Sequence, residues 1–262
     1  MEKEQISCRA TIASGVEFGF NVTIGPDVVI GQGTRIHSNV VIEGRTKIGS
    51  NCEIFAGAII GSAPQDLKYR GEPTSVSIGD NTKIREYVTV NRGTCHKDEK
   101  TGEIVTGETS VGRNCLIMAY AHVAHDCSLG DGVIMANAAT LGGHVVIGEK
   151  AFVGGMTPVH QFVRIGQFAM LAGGIRVSQD VPPFCMAAGC PTGLFGLNTV
   201  GLERNNFQKD TIEELKSVYR TLFRSKMPLA RALEALDASS LKSAEAAQLV
   251  EFVRASKRGI CR

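Results

Sequence analysis

The stretch "VGRNCLIMAYAHVAHDCSLGDGVIMANAATLGGHVVIG" (residues 111–148) carries an apolar residue at every sixth position. This spacing continues without a break to residue 177, at Val111, Ile117, Val123, Leu129, Met135, Leu141, Ile147, Val153, Val159, Ile165, Leu171 and Val177. It also runs from Ile6 to Ile60 and returns at Ile78, Ile84 and Val90. Such a period fits neither a 3.6-residue helix nor an alternating strand. It is the hexapeptide signature of a parallel β-helix, in which these apolar rung positions point inward.

The repeat therefore predicts an all-β, left-handed parallel β-helix over residues 1–190, with about 18 residues per triangular coil. Two polar segments interrupt it, 61–75 ("GSAPQDLKYRGEPTS") and 92–110, and we expect both to project as loops. Residues 191–262 are expected to form a small α-helical C-terminal domain. Its first long helix, within 211–225, is predicted to begin at a capping box of Asp210 and Glu213, and segments 229–241 and 243–259 are further amphipathic candidates.

Composition narrows the class of protein. The 262 residues are 43% hydrophobic and 21% charged, with a formal net charge of +2, which argues against bulk binding to nucleic acid. No apolar run approaches the ~20 residues of a membrane span, and the first ten residues lack the apolar core of a signal peptide. We therefore expect a cytoplasmic protein without stable membrane insertion. Its eight cysteines, without a CxxC pair, are expected to be reduced thiols.

Four histidines should share one edge of the β-helix. None of the four histidines in the unbroken repeat stands at a rung position: His122, His125, His144 and His160. When 18 residues, one coil, are subtracted from His144 and 36 residues, two coils, from His160, all four fall on the positions equivalent to 122–126. Cys127 instead stands four places after a rung, where small side chains recur, so we expect a buried thiol rather than a nucleophile.

A metal site and acid–base catalysis both use clustered histidines. Gamma-class carbonic anhydrases hold zinc on a hexapeptide β-helix with two histidines five residues apart, whereas successive spacings here are 3, 19 and 16. We therefore expect no metal. Acid–base catalysis needs an imidazole whose tautomer is fixed by a partner. Asp126 is a candidate partner of His125, although neighbouring residues on a strand usually face apart.

Five further motifs accompany the repeat. They are "QDLKYRGEPT" (65–74), "HVAHDC" (122–127), "LGGH" (141–144), "GGMTPVHQF" (154–162) and "ASKRGICR" (255–262). Over the whole chain, this combination strongly resembles the UDP-N-acetylglucosamine O-acyltransferase family. The resemblance implies a homotrimer with active sites between neighbouring β-helices and no cofactor. It also implies transfer of a (R)-3-hydroxyacyl group from acyl carrier protein to the glucosamine 3-hydroxyl of UDP-N-acetylglucosamine, the first step of lipid A biosynthesis.

The resemblance also implies residue roles. His125 matches the general base, with Asp126 as its candidate partner, and Gly143 matches the donor of an oxyanion-stabilising N–H, although it also reads as a turn glycine. Gly173 matches the position that limits acyl length, and a glycine there leaves room for longer chains. The expected substrate contacts are Asp66, Lys68, His122, His144, His160 and Gln161, with Asn198 and Arg204 at the nucleotide.

Several alternatives stay open. Pro191 and Val200 depart from the family pattern near the acyl tail and the uridine. Lys216, Arg220 and Arg224, spaced by four, could dock the acidic carrier protein or form a solvated helix face. The motifs are compatible with oxygen or nitrogen at the acceptor 3-position. Competing functions are an acyl-CoA-dependent sugar acyltransferase, a zinc hydratase of the gamma carbonic anhydrase type and a non-catalytic trimeric scaffold.

Overall fold

A computed structural model describes residues 5–97, 102–237 and 239–262. Most of its strands form three sheets, here called faces A, B and C, which are parallel except for the last strand of face C. Face A contains Gln5–Ile6, Thr23–Ile24, Val41–Ile42, Ile59–Ser62, Thr89–Asn91, His122–Val123, Thr140–Leu141 and Pro158–Val159. Face B contains Thr11–Ile12, Val29–Ile30, Arg45–Ile48, Ser75–Ile78, Glu108–Val111, Ser128–Leu129, Val146–Ile147 and Arg164–Ile165. Face C contains Glu17–Phe18, Arg35–Ile36, Glu53–Ile54, Lys83–Ile84, Leu116–Ile117, Ile134–Met135, Phe152–Val153, Met170–Leu171, Cys185–Ala188 and Gly193–Leu197.

These sheets are the sides of a left-handed parallel β-helix, so the predicted fold class is confirmed. Ile6 pairs with Ile24 and Val123 with Leu141, which is the expected offset of eighteen residues. Each strand places one side chain inward and its neighbour outward. The rung side chains consequently stack into one core, and Ile36, Ile42 and Ile54 are fully buried.

The corners between faces use left-handed backbone. The residue three places after a rung has a φ near +60°, and many of these residues are asparagine or glycine, which adopt this conformation most readily. At the corner between faces A and B, three successive coils instead place Asp126 (φ 59°), His144 (φ 61°) and Phe162 (φ 64°) there. A left-handed non-glycine residue costs of the order of 1–3 kcal/mol, and the corners of the other two edges carry such residues as well, including Tyr120 and Phe168.

Two insertions interrupt the coils where the sequence predicted them. Ile60 pairs with Val90, thirty residues on, and Val90 pairs with Val123, thirty-three residues on. The first loop spans 63–74 between strands of faces A and B. The second loop spans 92–107 and contains an antiparallel ribbon of Cys95–Lys97 and Ile104–Thr106, which its polarity did not predict.

The chain ends in four α-helices: α1 Thr199–Arg204, α2 Lys209–Tyr219, α3 Leu229–Asp237 and α4 Ala244–Arg254. The predicted capping box is wrong, because α2 begins after Gln208 and Asp210 lies within its first turn. The Glu213 carboxylate accepts a hydrogen bond from Lys216 instead of capping the helix. The predicted division after residue 190 falls between the paired strands Cys185–Ala188 and Gly193–Leu197, and it stays a prediction. None of the helices in the described residues has the length and apolarity to cross a membrane.

Candidate active site

His125 and Asp126 form a hydrogen-bonded pair at the corner between faces A and B. His125 Nδ1 lies 2.8 Å from Asp126 Oδ2, although the two residues are neighbours in sequence. The left-handed conformation of Asp126 explains this, since a corner residue does not follow the alternation of a strand. Because a carboxylate accepts hydrogen bonds, Nδ1 of His125 carries the proton, and Nε2 of the same ring is left as a proton acceptor.

The Asp126 carboxylate is also held by the second loop. The Thr94 backbone N–H donates to Oδ1 at 2.9 Å, and the Thr94 hydroxyl donates to Oδ2 at 2.7 Å. Burial raises the pKa of Asp126, but the hydrogen bonds from His125 and Thr94 outweigh it, and the pKa is lowered overall. The carboxylate is therefore ionised at neutral pH and accepts the hydrogen bond from His125 Nδ1.

Gly143 lies directly against the His125 imidazole. A Cβ at Gly143 would stand 2.5 Å from His125 Cε1 and 2.6 Å from Nε2, closer than real contacts allow. Its φ is outside the left-handed region, so the turn itself does not require glycine here. The N–H of Gly143 donates to no backbone carbonyl of the described chain. Glycine at this position thus lets the backbone lie close against the His125 imidazole.

Two more histidines border the pair. His144 packs edge-on to His125, with ring centroids 5.1 Å apart, and stacks on Phe162 at 4.6 Å. His122 Nδ1 lies 2.7 Å from the Thr89 hydroxyl. Burial, and secondarily the nearby His125, lowers the pKa of His122, so this imidazole is neutral at pH 7.

The ligand atoms of His125, Asp126 and His144 lie within 4.8 Å of one another, a spacing that a metal ion could use. However, Nδ1 of His125 and both carboxylate oxygens of Asp126 already take part in hydrogen bonds within the chain. This donor set therefore fits a tautomer-fixing pair better than a preformed zinc site.

The chain is similar to two family profiles and to several named proteins and solved structures. A profile of bacterial transferase hexapeptide repeats matches residues 9–44, 27–62 and 108–143, and one described as UDP-N-acetylglucosamine O-acyltransferase, domain 2, matches residues 180–261. An acyl-[acyl-carrier-protein]–UDP-N-acetylglucosamine O-acyltransferase from Herminiimonas arsenicoxydans is 47% identical over 258 residues, covering 97% of this chain and 95% of that protein. One from Janthinobacterium sp. (strain Marseille) is 49% identical over 214 residues, covering 80% and 79%. The crystal structure of a UDP-N-acetylglucosamine acyltransferase from Bacteroides fragilis superposes with a TM-score of 0.92 at 39% identity, covering 99% and 98%.

The chain belongs to the UDP-N-acetylglucosamine O-acyltransferase family. The resemblance inferred from the sequence motifs is thereby confirmed.

Some residues expected at the site of this acyltransferase family lie beyond the histidine cluster. His160 and Gln161 follow one coil further on the same edge, and His160 Nδ1 lies 3.2 Å from an Arg258 Nη atom of the C-terminal tail. The structure therefore brings three of the four histidines together, with His160 beside Arg258. In the first loop, the Lys68 backbone N–H donates to Asp66 Oδ1 at 2.9 Å.

The residues matched to the nucleotide and the acyl chain lie at other corners. Asn198 caps α1 through Gly201 and donates to the Phe168 carbonyl, at the corner between faces B and C. Arg204 is exposed at the end of α1, and Gly173 is exposed near the corner between faces C and A. One chain thus distributes the expected site residues over three edges.

The two departures from the family pattern are both at the surface. Pro191 lies between the last two strands of face C, and Val200 lies in the first turn of α1 with 56% of its surface exposed.

The expected docking face on α2 is interrupted. A π-helical turn, Arg220–Arg224, follows α2 and turns Arg224 toward the β-helix, where its guanidinium donates to the Leu194 carbonyl and the Tyr219 hydroxyl. Arg220 stays exposed, and Lys216 pairs with Glu213. Lys216 and Arg224 are therefore both engaged by groups of the chain itself.

Cys127 is the thiol at the corner that follows His125 and Asp126. Cys127 is fully buried, and burial raises its pKa to about 12. The expectation of a buried corner thiol is confirmed. The sequence did not point to Thr94, Phe162 or Arg258. Thr94 lies outside the repeat, and neither phenylalanine nor arginine is a residue type that suggests acid–base catalysis.

Proposed function

We propose that this protein transfers a (R)-3-hydroxyacyl group from acyl carrier protein to the glucosamine 3-hydroxyl of UDP-N-acetylglucosamine, as the first step of lipid A biosynthesis. The observation that carries this proposal is the His125–Asp126 pair packed beneath Gly143. A base with a fixed tautomer beside an amide donor is the arrangement that acyl transfer to a hydroxyl requires.

The reaction follows from these positions. Nε2 of His125 removes the proton of the sugar 3-hydroxyl as its oxygen attacks the thioester carbon. The oxyanion of the tetrahedral intermediate accepts a hydrogen bond from the Gly143 N–H. When the C–S bond breaks, the proton on His125 passes to the carrier thiolate, which leaves as a thiol. Positioned acid–base catalysis contributes roughly 10²–10⁴-fold in rate, and one oxyanion donor about 3–4 kcal/mol.

The flanking groups suit the two substrates. A neutral His122 offers hydrogen bonds to sugar hydroxyls, and His144 occupies the other side of the His125 ring. Lys68 suits a phosphate and Asp66 a sugar hydroxyl. The relatives are named O-acyltransferases, which favours oxygen at the acceptor 3-position. Gly173 leaves the groove open for the longer hydroxyacyl chains.

A homotrimer completes the site. His125 and Gly173 lie at two different edges of one chain, and Asn198, which is expected at the nucleotide together with Arg204, lies at the third. These residues meet only if neighbouring β-helices bring unlike edges together. Mixing His125→Ala and Arg204→Ala chains tests this, because some mixed sites then contain both native residues. About a quarter of the wild-type activity is expected from random mixing, and no recovery would contradict a shared site.

The donor is acyl carrier protein, and the exposed Arg220 and the partly buried Lys216 are the cations proposed to dock it. The reaction is proposed to occur in the cytoplasm, without a cofactor.

Two matched donors test this function against the alternatives. The purified protein is incubated with UDP-N-acetylglucosamine and either hydroxyacyl carrier protein or the same hydroxyacyl-CoA, and the product is identified by mass spectrometry. We expect a 3-O-acylated nucleotide sugar from the carrier protein. Transfer from acyl-CoA alone would support the acyl-CoA-dependent reading, whereas CO2 hydration with stoichiometric zinc would support the hydratase.

A further inference from the structure

We propose that Thr94, in the second loop, is a positioning residue that orients the Asp126 carboxylate toward His125 during acyl transfer. This inference rests on the function proposed above and adds a residue outside the repeat to it.

The contacts of Asp126 show what Thr94 does. Its backbone N–H reaches both carboxylate oxygens, at 2.9 Å and 3.1 Å, and its hydroxyl reaches Oδ2 at 2.7 Å. His125 contacts Oδ2 alone, at 2.8 Å. A carboxylate held only by His125 could rotate about its terminal bond, whereas donors at both oxygens fix its plane.

A competing partner makes this orientation matter. His144 Nε2 lies 3.7 Å from Asp126 Oδ2, close enough for a small rotation of the carboxylate to form a hydrogen bond with it. If Asp126 turned toward His144, Nδ1 of His125 would lose the acceptor that fixes its tautomer. Thr94 therefore favours the pairing with His125 over the pairing with His144.

The second loop is shaped to deliver Thr94. The Gly107 N–H donates to the Thr94 carbonyl at 2.9 Å, and a Cβ at Gly107 would lie 2.1 Å from that oxygen and 2.2 Å from Asp126 Oδ1. Gly93 is equally crowded, since its Cβ would lie 2.4 Å from the Gly107 carbonyl carbon. Neither glycine is left-handed, so close approach of the two loop ends explains both.

The other end of the loop holds Asp126 as well. The hydroxyl of Thr109, in the strand that follows the loop, accepts the Asp126 backbone N–H at 2.8 Å. Both ends of the insertion thus contact the same residue of the catalytic pair, which ties the loop to the chemistry of the edge.

The test compares four variants of the full chain: Thr94→Val, Thr94→Ala, Thr94→Ser and the matched control Thr106→Val, an exposed threonine of the same loop. Each is assayed for kcat and for KM with UDP-N-acetylglucosamine and hydroxyacyl carrier protein. Valine and alanine keep the backbone N–H but remove the hydroxyl, which donates to the same Asp126 oxygen that His125 contacts. They should lower kcat roughly ten- to a hundredfold while changing KM less than about twofold. Serine restores the donor, so Thr94→Ser and Thr106→Val should stay within about twofold of the wild type.

A double-mutant cycle separates positioning from general support of the fold. In an Asp126→Asn background, Thr94→Val should cause no further loss of kcat, because its effect passes through the carboxylate. An equal loss in both backgrounds, or wild-type kcat in both Thr94→Val and Thr94→Ala, would overturn the inference. An inactive wild-type protein would instead overturn the proposed function, so the two failures are distinguishable.

Discussion

Replacing Gly143 by alanine tests the contact between that glycine and the proposed base. The new Cβ would lie 2.5 Å from His125 Cε1, where an ordinary contact needs at least 3.4 Å. The imidazole is held at Nδ1 by Asp126, so it relieves the clash by tilting, which moves Nε2. The required displacement is about 1 Å, and an error of that size at a reacting atom costs on the order of 10²-fold in rate.

The assay is steady-state acyl transfer with both substrates varied. We expect Gly143→Ala to lower kcat by roughly 10²–10³-fold, because it also disturbs the oxyanion donor, with little change in KM. The matched control is Gly25→Ala in a distant coil, where the added Cβ approaches Glu43 Cα at 3.2 Å and leaves the site untouched. If Gly143→Ala kept kcat within threefold of the wild type, the proposed geometry would be wrong.

Three further predictions follow from other parts of the site. Asp126→Asn should lower kcat by about 10²–10⁴-fold at unchanged KM, since the amide cannot stabilise a protonated His125; near-normal kcat would exclude the pairing. The pKa of His122 is lowered in the folded protein, so as pH falls through about 6.5 this histidine is protonated in the unfolded chain before it is protonated in the folded one. The free energy of unfolding should therefore decline as pH falls from about 7.5 to about 5.5. His122→Gln should reduce that decline in the unfolding midpoint, and an equal decline in both proteins would refute the burial argument. Gly173→Met should shift the preferred donor toward shorter acyl chains, as measured by kcat/KM over a chain-length series, and an unchanged preference would remove Gly173 from the groove.

The fold was predictable because one physical rule repeats along the chain. An inward apolar residue at every sixth position leaves few alternatives, and the pairings of Ile6 with Ile24 and Val123 with Leu141 follow by counting. Counting also predicted that His122, His125 and His144 share an edge and that Cys127 is buried. All of these predictions follow from the six-residue period.

The rest of the site depends on contacts that periodicity does not contain. Alternation on a strand suggested that Asp126 faces away from His125, but the left-handed corner reverses this expectation. At the same repeat position in other coils, residues such as Asn39 and Gly57 are of the types that favour left-handed backbone, and they indicate this conformation from the sequence. Thr94 had no comparable signal, because the path of an inserted loop depends on long-range packing. The capping box at Asp210 failed for a local reason, since α2 begins after Gln208 and Glu213 pairs with Lys216 one turn further along the same helix.

The most direct test of the account is the turnover of His125→Ala with hydroxyacyl carrier protein and UDP-N-acetylglucosamine, measured beside its oligomeric state. We expect product formation to fall by at least about 10²-fold while the protein elutes with the same oligomeric state as the wild type. Wild-type turnover by a folded His125→Ala protein would contradict the assignment of His125 as the base.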